Sequence, residues 1–89
     1  SLIAIKDINP QAPSHVLIIP KRHFSTMIAC KDKDLFGDML SMANQAAEKI
    51  GVSKKGFRVV INTNEDGGQT IFHLHMHLLA GRPLSGMMG

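Results

Sequence analysis

The sequence contains no tryptophan and no tyrosine, and four phenylalanines are its only members of that aromatic class. Proteins that bind nucleic acid usually combine clustered basic residues with aromatic rings on which bases stack. Here the ten Lys and Arg residues are scattered along the chain. The net charge of +3 therefore indicates a mild preference for anionic ligands and does not predict a nucleic-acid surface.

Cysteine and long apolar runs are also scarce. Cys30 is the only cysteine, so no intrachain disulfide can form, as is typical of a reducing compartment. No apolar run approaches the roughly 18 residues that span a bilayer. The opening residues lack the basic start and apolar core of a signal peptide. We expect a cytoplasmic protein, or also a nuclear one if the source is eukaryotic, with no membrane partner.

Hydrophobic periodicity predicts four strands and one helix within a single domain over residues 1–89. The strands are expected at residues 2–6, 15–19, 57–63 and 72–79, and the helix from residue 32 or 34 to residue 50. An aspartate can cap the start of this helix, and Gly51 stands where helices commonly end. The order strand, strand, helix, strand, strand lacks βαβ alternation. It predicts an α+β fold with an antiparallel sheet.

The apolar side chains of the predicted helix form two adjacent rows. One row holds Leu35, Met39, Met42, Ala46 and Ile50, and the other holds Phe36, Leu40, Ala43 and Ala47. This arc is wider than one sheet face requires. We expect a homodimer formed by the 34–50 helix and a sheet edge, and a helix deeply buried in a single chain is the alternative.

The most unusual stretch is residues 72–79, where histidine alternates with large apolar side chains. Successive side chains of a strand point to opposite faces. Leu74, Met76 and Leu78 should therefore face the core, and His73, His75 and His77 should share the other face. Three explanations are open: a metal site, a hydrogen-bonded structural row, or nucleophilic and acid/base chemistry.

Geometry weighs against a metal site made by all three histidines. The outer two, His73 and His77, lie about 13 Å apart along a strand, whereas zinc ligands all sit about 2 Å from the ion. A His-x-His pair could bind a metal only with help from His15 or His23. We predict no metal site and no cofactor, and we favour catalysis.

Several other residues lie where a ligand could contact them. Asp7 follows the first strand, in a loop rich in turn-forming residues. Gly67 and Gly68 precede the histidine row, where glycine lets the backbone approach a ligand and expose amide donors. Thr70 adds a hydroxyl group. This loop lies where a phosphate facing the histidines would be held.

The stretch His73-Leu74-His75-Met76-His77-Leu78-Leu79 is the histidine-triad pattern, and the chain resembles the Hint branch of the histidine-triad superfamily. Further matching segments are Asp7-Ile8 before Pro10-Gln11-Ala12-Pro13, residues 16–23, Asn62, and Gly67-Gly68-Gln69-Thr70. The resemblance covers most of residues 2–82. It implies an enzyme that cleaves the P–N bond of purine nucleoside 5'-phosphoramidates, with a nucleotide of the AMP or GMP type as substrate.

The resemblance also implies a role for each residue that matches the pattern. His75 would be the nucleophile that carries the nucleotide, and His77 would donate a hydrogen bond to the phosphate. His73 and His23 would orient the nucleophile. The substrate-binding residues would be Asp7 for the ribose, Ile5 and Ile8 for the base, Asn62 for the sugar-phosphate, and Gly68, Gln69 and Thr70 for the phosphate.

Two departures from the family pattern leave questions open. Relatives have a segment before the first strand that the sequence lacks, and the ending after Arg82 has no tryptophan of the animal type. The alternative function is a nucleotide-binding regulatory or scaffold protein whose hydrolase activity is incidental.

Overall fold

The structure is a computed structural model, and it describes residues 1–86. Its elements, in chain order, are β1 (Leu2–Lys6), β2 (Ser14–Pro20), α1 (Lys33–Lys49), β3 (Arg58–Val60) and β4 (Met76–Ala80). The strands form one sheet in the order β1-β2-β4-β3, and every neighbouring pair is antiparallel. The predicted α+β class is confirmed. The single domain was predicted over residues 1–89, and the last three of these residues, 87–89, lie outside the described residues.

Helix α1 begins as its sequence predicts. The Asp32 side chain accepts a hydrogen bond from the Leu35 amide at 3.1 Å and so caps one of the free N–H groups of the first turn. At the other end Gly51 adopts a φ of +80°, a conformation that costs glycine little. The helix buries Met39, Ala43 and Ala47. It therefore covers one face of the sheet through this central stripe, and partly buried helix residues pack beside it: Leu35, Phe36, Met42 and Ala46.

The core lies between α1 and this covered face of the sheet. Ile18 of β2 and Leu78 of β4 are completely buried there, beside Met39 of the helix. Leu74 and Met76 are also buried, whereas the three histidines that alternate with them are only half-buried. The predicted division of this stretch into an apolar face and a histidine face is confirmed. The histidines lie on the open face of the sheet.

The predicted extent of the histidine strand is wrong, because regular pairing begins only at Met76 and includes only His77 of the three histidines. Two residues beyond the last pair, Ile18 with Met76, the β2–β4 register would place Leu74 opposite Pro20. Proline has no backbone N–H to donate. The Leu74 amide donates instead to the Phe24 carbonyl at 2.7 Å, and the Pro20 carbonyl accepts from the His73 ring at 2.9 Å. The side chains of residues 73–75 still alternate between the two faces, although these residues form no regular backbone pairing with β2.

The predicted third strand is also shorter than expected, covering Arg58–Val60 instead of residues 57–63. It pairs only with β4, and Val60 lies opposite His77. Strand β4 begins at Met76, only one residue before His77. The residues that follow Val60 therefore have almost no strand residues opposite them to pair with. Residues 61–63 instead lead into the loop beside the histidines. Within the described range, the structure has no helix long and apolar enough to cross a membrane.

Candidate active site

A cavity of about 290 Å³ lies on the open face of the sheet, between the β1–β2 loop and the loop that precedes β4. It brings together seven of the residues predicted to form the site: Asp7, Asn62, Gly68, Gln69, Thr70, His75 and His77. It also includes residues that the sequence reasoning did not assign to substrate binding or catalysis: Asn9, Gln11, His15, Leu17 and Ile71. Residues from three separate parts of the chain thus meet around His75 and His77.

The His75 ring is held by a backbone group. Its Nδ1 lies 2.7 Å from the carbonyl oxygen of His73. A carbonyl oxygen can only accept, so Nδ1 carries the proton, and in the neutral ring Nε2 keeps a lone pair. His75 lines the cavity, and it also lines a smaller, mainly apolar one of about 160 Å³. This arrangement is that of an imidazole prepared to act as a nucleophile.

His77 is held differently, through another histidine. Its Nδ1 lies 2.8 Å from Nε2 of His15, whose Nδ1 accepts a hydrogen bond from the Gln11 amide at 3.0 Å. A backbone amide can only donate, so the proton of neutral His15 is on Nε2, and Nδ1 of His77 must accept it. The proton of neutral His77 is then on its own Nε2. This atom is buried and has no hydrogen-bond partner among the described residues.

Burial lowers the pKa of His77 below its ordinary value of 6.5. Positive charge on His75 or His15 lowers the pKa further, while the carboxylate of Asp7 opposes these effects. His77 is therefore neutral at pH 7, with a single ring proton. Its ring centroid lies 4.9 Å from that of His75, so a donor and a nucleophile stand side by side.

His15 is the residue that sequence reasoning missed, since it was considered only as a possible metal ligand. It is 6% exposed and starts the row His15, Leu17, Ile19 on the open face of β2. The only sequence signal was this alternation. The contact with His77 depends on the strand register, which places Leu17 opposite His77, and no local pattern reveals that register.

The other two predicted catalytic histidines lie at the edge of the site. The His73 ring donates from Nε2 to the Pro20 carbonyl at 2.9 Å and lines the smaller apolar cavity. His23 is exposed, and its ring packs edge-on against His73 with centroids 4.9 Å apart. Neither residue lines the larger cavity. Their expected role in orienting the nucleophile stays a prediction.

The residues predicted to flank the base are not part of the cavity lining. Ile8 is 92% exposed, and Ile5, on β1 opposite Leu17, is 46% exposed. Asp7, which does line the cavity, accepts from the Asn9 amide at 2.8 Å through Oδ1, while its Oδ2 lies 3.5 Å from Nε2 of His15. The structure thus orients the Asp7 carboxylate, and contacts of all three residues with a nucleoside stay predictions.

The loop before β4 is shaped mainly by its own backbone. The Gly68 amide donates to the Glu65 carbonyl at 2.9 Å, and Gly68 has a φ of +78°. A Cβ on Gly67 would collide with the backbone of Thr63. Close packing therefore explains the glycine at position 67, and the positive φ explains the glycine at position 68. Thr70 is exposed on the cavity lining, where its hydroxyl could reach a ligand.

The Gln69 side chain faces inward and is 7% exposed. Its Oε1 accepts from the Asn64 amide at 2.9 Å, and its Nε2 donates to the Ser25 carbonyl at 2.9 Å and the Ile71 carbonyl at 3.1 Å. These bonds tie together three segments that border the site. The side chain holds the loop in place, and a direct contact of Gln69 with substrate stays a prediction.

Asp7, His15 and His77 are also the one group among the described residues whose ligand atoms are close enough to share a metal ion, all within 4.8 Å of one another. The hydrogen bonds argue against this use. Nε2 of His15, the atom that would bind the metal, carries the proton, because the Gln11 amide occupies the lone pair of Nδ1. A metal would require a different tautomer of His15 and the loss of that bond.

Proteins of known family match most of the chain. The HIT domain family profile matches residues 1–84. The chain is 44% identical over 87 residues to the purine nucleoside phosphoramidase of Escherichia coli (strain K12), covering 96% of this chain and 73% of that protein.

Solved structures of the same family superpose closely on the chain. A HIT family hydrolase from Legionella pneumophila Philadelphia 1 superposes with a TM-score of 0.95 at 42% identity, covering 99% of this chain and 80% of the other. A histidine triad protein from Clostridium difficile superposes with a TM-score of 0.93 at 40% identity, covering 97% of this chain and 76% of the other. With the profile match over almost the whole chain, these likenesses show that it belongs to the HIT domain family.

Proposed function

We propose that this protein is a nucleoside phosphoramidase that cleaves the P–N bond of purine nucleoside 5'-phosphoramidates. The observation that carries the proposal is the His75 ring, whose Nδ1 proton is bound to the His73 carbonyl so that Nε2 is available as a nucleophile at the cavity. The substrate class is supported by the similarity to the Escherichia coli purine nucleoside phosphoramidase.

In the first step, the lone pair on Nε2 of His75 attacks the α-phosphorus. A new N–P bond forms, the P–N bond to the amine breaks, and the amine leaves with that electron pair and takes up a proton. Water then attacks the same phosphorus, the bond to His75 breaks, and the nucleoside monophosphate is released. Dividing the displacement in this way lets one site serve both steps, and neutral imidazole is a competent nucleophile near pH 7.

His77 would act on the charge that develops during both steps. Its neutral ring presents an N–H at Nε2 that has no partner among the described residues, and a phosphate oxygen is a suitable acceptor. A donor held in place before the reaction stabilises the five-coordinate phosphorus without reorganisation. Thr70, which also lines the cavity, would add a second hydrogen bond.

The remaining predicted contacts place the nucleoside. Asp7 and Asn62 line the cavity and would bind the sugar, with the base lying towards Ile5 and Ile8. The apolar side chains of Leu17 and Ile71 continue this surface beside His75. The purine would therefore rest on apolar side chains while the phosphate lies among polar ones.

The test is to quench the reaction early with a nucleoside phosphoramidate and map the protein by mass spectrometry. We expect a nucleotide-sized adduct on His75. His75→Asn, which has no imidazole, should form no adduct but still bind nucleoside monophosphate. An adduct on another residue would contradict the role of His75 as the nucleophile. Nucleotide binding without any turnover by the unaltered protein would contradict the proposed activity and favour a nucleotide-binding regulatory protein.

We also propose that the protein forms a homodimer through α1 and the outer edge of β3. Leu40 and Ile50 of the predicted apolar rows are 51% and 40% exposed, and Val59 on the edge strand is 37% exposed. Covering these side chains would remove apolar surface from water. Sedimentation equilibrium should give twice the chain mass, and Leu40→Glu should lower it towards a monomer. A monomeric unaltered protein at micromolar concentration would contradict the dimer.

A further inference from the structure

We propose that Arg82, which follows β4, is a positioning residue that holds the β1–β2 loop (residues 7–13) in place as one wall of the site cavity. The site cavity is the cavity of about 290 Å³ beside His75. Nη2 of Arg82 donates to the Gln11 carbonyl at 3.1 Å, across 71 residues of the chain. The loop residues that line the site cavity are Asp7, Asn9 and Gln11. The effect on catalysis rests on the proposed function, whereas the position of the loop is a property of the protein without substrate.

The end of the β2–β4 ladder brings this arginine beside the loop. The last pair in the register at this end is Ser14 with Ala80, so the next residues to face each other are Pro13 and Gly81. Proline has no backbone N–H, so regular pairing cannot continue through it. The Arg82 side chain makes the next connection between the two segments, through a carbonyl group two residues before the proline.

Gly81 allows the two segments to approach closely. A Cβ at this position would lie 2.8 Å from Cβ of Pro13 and 3.4 Å from the nitrogen of Ser14, and the φ of Gly81 is +105°. Glycine alone satisfies both the contact distance and the backbone conformation without strain. A side chain here would push the following arginine away from the loop. Positions 81 and 82 therefore act together, because the glycine permits the contact and the arginine fixes it.

The Arg82 guanidinium bridges two backbone carbonyls. While Nη2 donates to Gln11, Nη1 donates to the carbonyl of Pro83 at 3.1 Å. The planar fork of arginine holds its donors in fixed directions, so the second bond orients the first. The segment after Arg82 is held in turn, since Arg58 of β3 donates to the Ser85 carbonyl at 2.6 Å. The loop is thus connected to a segment that is tied to the far edge of the sheet.

A fixed Gln11 backbone in turn fixes the polar groups of the loop. Nε2 of Gln11 donates to the Asn9 carbonyl at 3.3 Å, and the Asn9 amide donates to the Asp7 carboxylate at 2.8 Å. If the Gln11 backbone moved, the carboxylate that we assign to the ribose would lose its fixed position. His75 is held separately, by the backbone carbonyl two residues before it. We therefore expect the loss of Arg82 to weaken substrate binding more than it slows the chemical step.

The alternative is that Arg82 only supplies positive charge that attracts the substrate. Arg82 does not line the site cavity, and together with Lys55 it lines a separate cavity of about 430 Å³. Lys55 therefore provides a matched control, because its side chain is exposed and carries the same charge into the same cavity. A general effect of charge would appear equally in Lys55→Met and Arg82→Met. A positioning effect would appear only in Arg82→Met.

The first measurement is the rate at which the Gln11 amide proton exchanges with water, followed by NMR. Arg82→Met keeps a long side chain but has no donor, so exchange should be about 2- to 10-fold faster, the range expected for the loss of one hydrogen bond. Arg82→Lys, which keeps a donor, should restore most of the protection. Gly81→Ala should speed the exchange although the arginine is present. Lys55→Met should leave the rate unchanged.

The second measurement is the affinity for a nucleoside monophosphate, followed by steady-state kinetics with a nucleoside phosphoramidate. We expect Arg82→Met to raise both Kd and KM by about 2- to 10-fold and to change kcat by less than that. Arg82→Lys should lie closer to the unaltered protein. Thermal unfolding checks that all variants are equally folded, and the exchange of β4 amides should be the same in each.

If the Gln11 amide exchanges equally fast in Arg82→Met, Gly81→Ala and the unaltered protein, Arg82 does not hold the loop and the proposal is wrong. The proposal is also wrong if Lys55→Met weakens nucleotide binding as much as Arg82→Met does. If Arg82→Met loosens the loop and weakens nucleotide binding as expected but no protein cleaves a phosphoramidate, the positioning role stands and the proposed function fails.

Discussion

His75 and His77 are two residues apart on one face of the sheet, yet their surroundings prepare them for opposite tasks. A backbone carbonyl takes the Nδ1 proton of His75 and frees the lone pair of Nε2. A histidine donates to Nδ1 of His77 and leaves the proton on Nε2. The same side chain thus becomes a nucleophile at one position and a donor at the other. The difference comes entirely from what faces Nδ1.

The largest effect is expected from removing the nucleophile. His75→Ala should reduce kcat by about 10⁴-fold or more, since removing the central nucleophile of other enzymes has effects of this size. Steady-state turnover of a nucleoside phosphoramidate measures it. Lys54→Ala is the control, because that side chain is exposed and lies outside the cavity lining. Comparable turnover in His75→Ala and the unaltered protein would contradict the assigned roles.

Removing the donor should have a smaller effect of a different kind. His77→Leu should lower kcat about 10²- to 10³-fold, as the loss of one transition-state donor does elsewhere. The adduct on His75 should still form, but slowly, in single-turnover experiments followed by mass spectrometry. If His77→Leu prevents the adduct as completely as His75→Ala does, the two histidines do not have separate roles.

A still smaller effect is expected at His73, because its backbone, not its ring, holds His75. His73→Ala keeps the carbonyl that accepts from His75 and loses the ring contact with Pro20. We expect a loss in kcat of about 10-fold, below the roughly 10²-fold that a misplacement of 1 Å can cause. A loss as large as that of His75→Ala would mean that the ring reacts directly.

The smallest expected effect is on stability as pH falls. Since the folded pKa of His77 lies below 6.5, the unfolded chain binds more protons than the folded one between these two values. The free energy of unfolding then rises with pH through this window, and the His77 contribution is lost as pH falls below about 6.5. Urea unfolding at pH 5 and pH 7.5 should show a smaller pH difference in His77→Asn than in the unaltered protein. An equal or larger difference in the variant would contradict the lowered pKa.

Much of the fold could be predicted because its signals are local. Asp32, the helical spacing of Met39, Ala43 and Ala47, and Gly51 together indicate α1 at nearly its observed bounds. The alternation around His75 identified which side chains are buried. The lengths of the strands could not be predicted in the same way, because pairing of residue 74 depends on the distant Pro20 opposite it.

In the candidate site, too, local features could be predicted and contacts between distant residues could not. The three histidines of the 72–79 stretch and the glycine loop are recognisable from the sequence because their spacing is compact. The contact of His15 with His77 and the inward-facing hydrogen bonds of Gln69 could not be predicted from it, since their partners are far away in the chain. Gln69 contacts Ser25, 44 residues away, and the interaction of His15 with His77 spans 62 residues.

The sequence by itself determined the class of the fold, the face on which the histidines lie and the family to which the chain belongs, because each is encoded in a local period or a compact motif. Only the tertiary structure decided which nitrogen of each histidine carries a proton. That choice depends on whether a carbonyl, an amide or another ring faces the nitrogen. Those partners are brought together by strand register and loop packing, which no short stretch of the chain specifies.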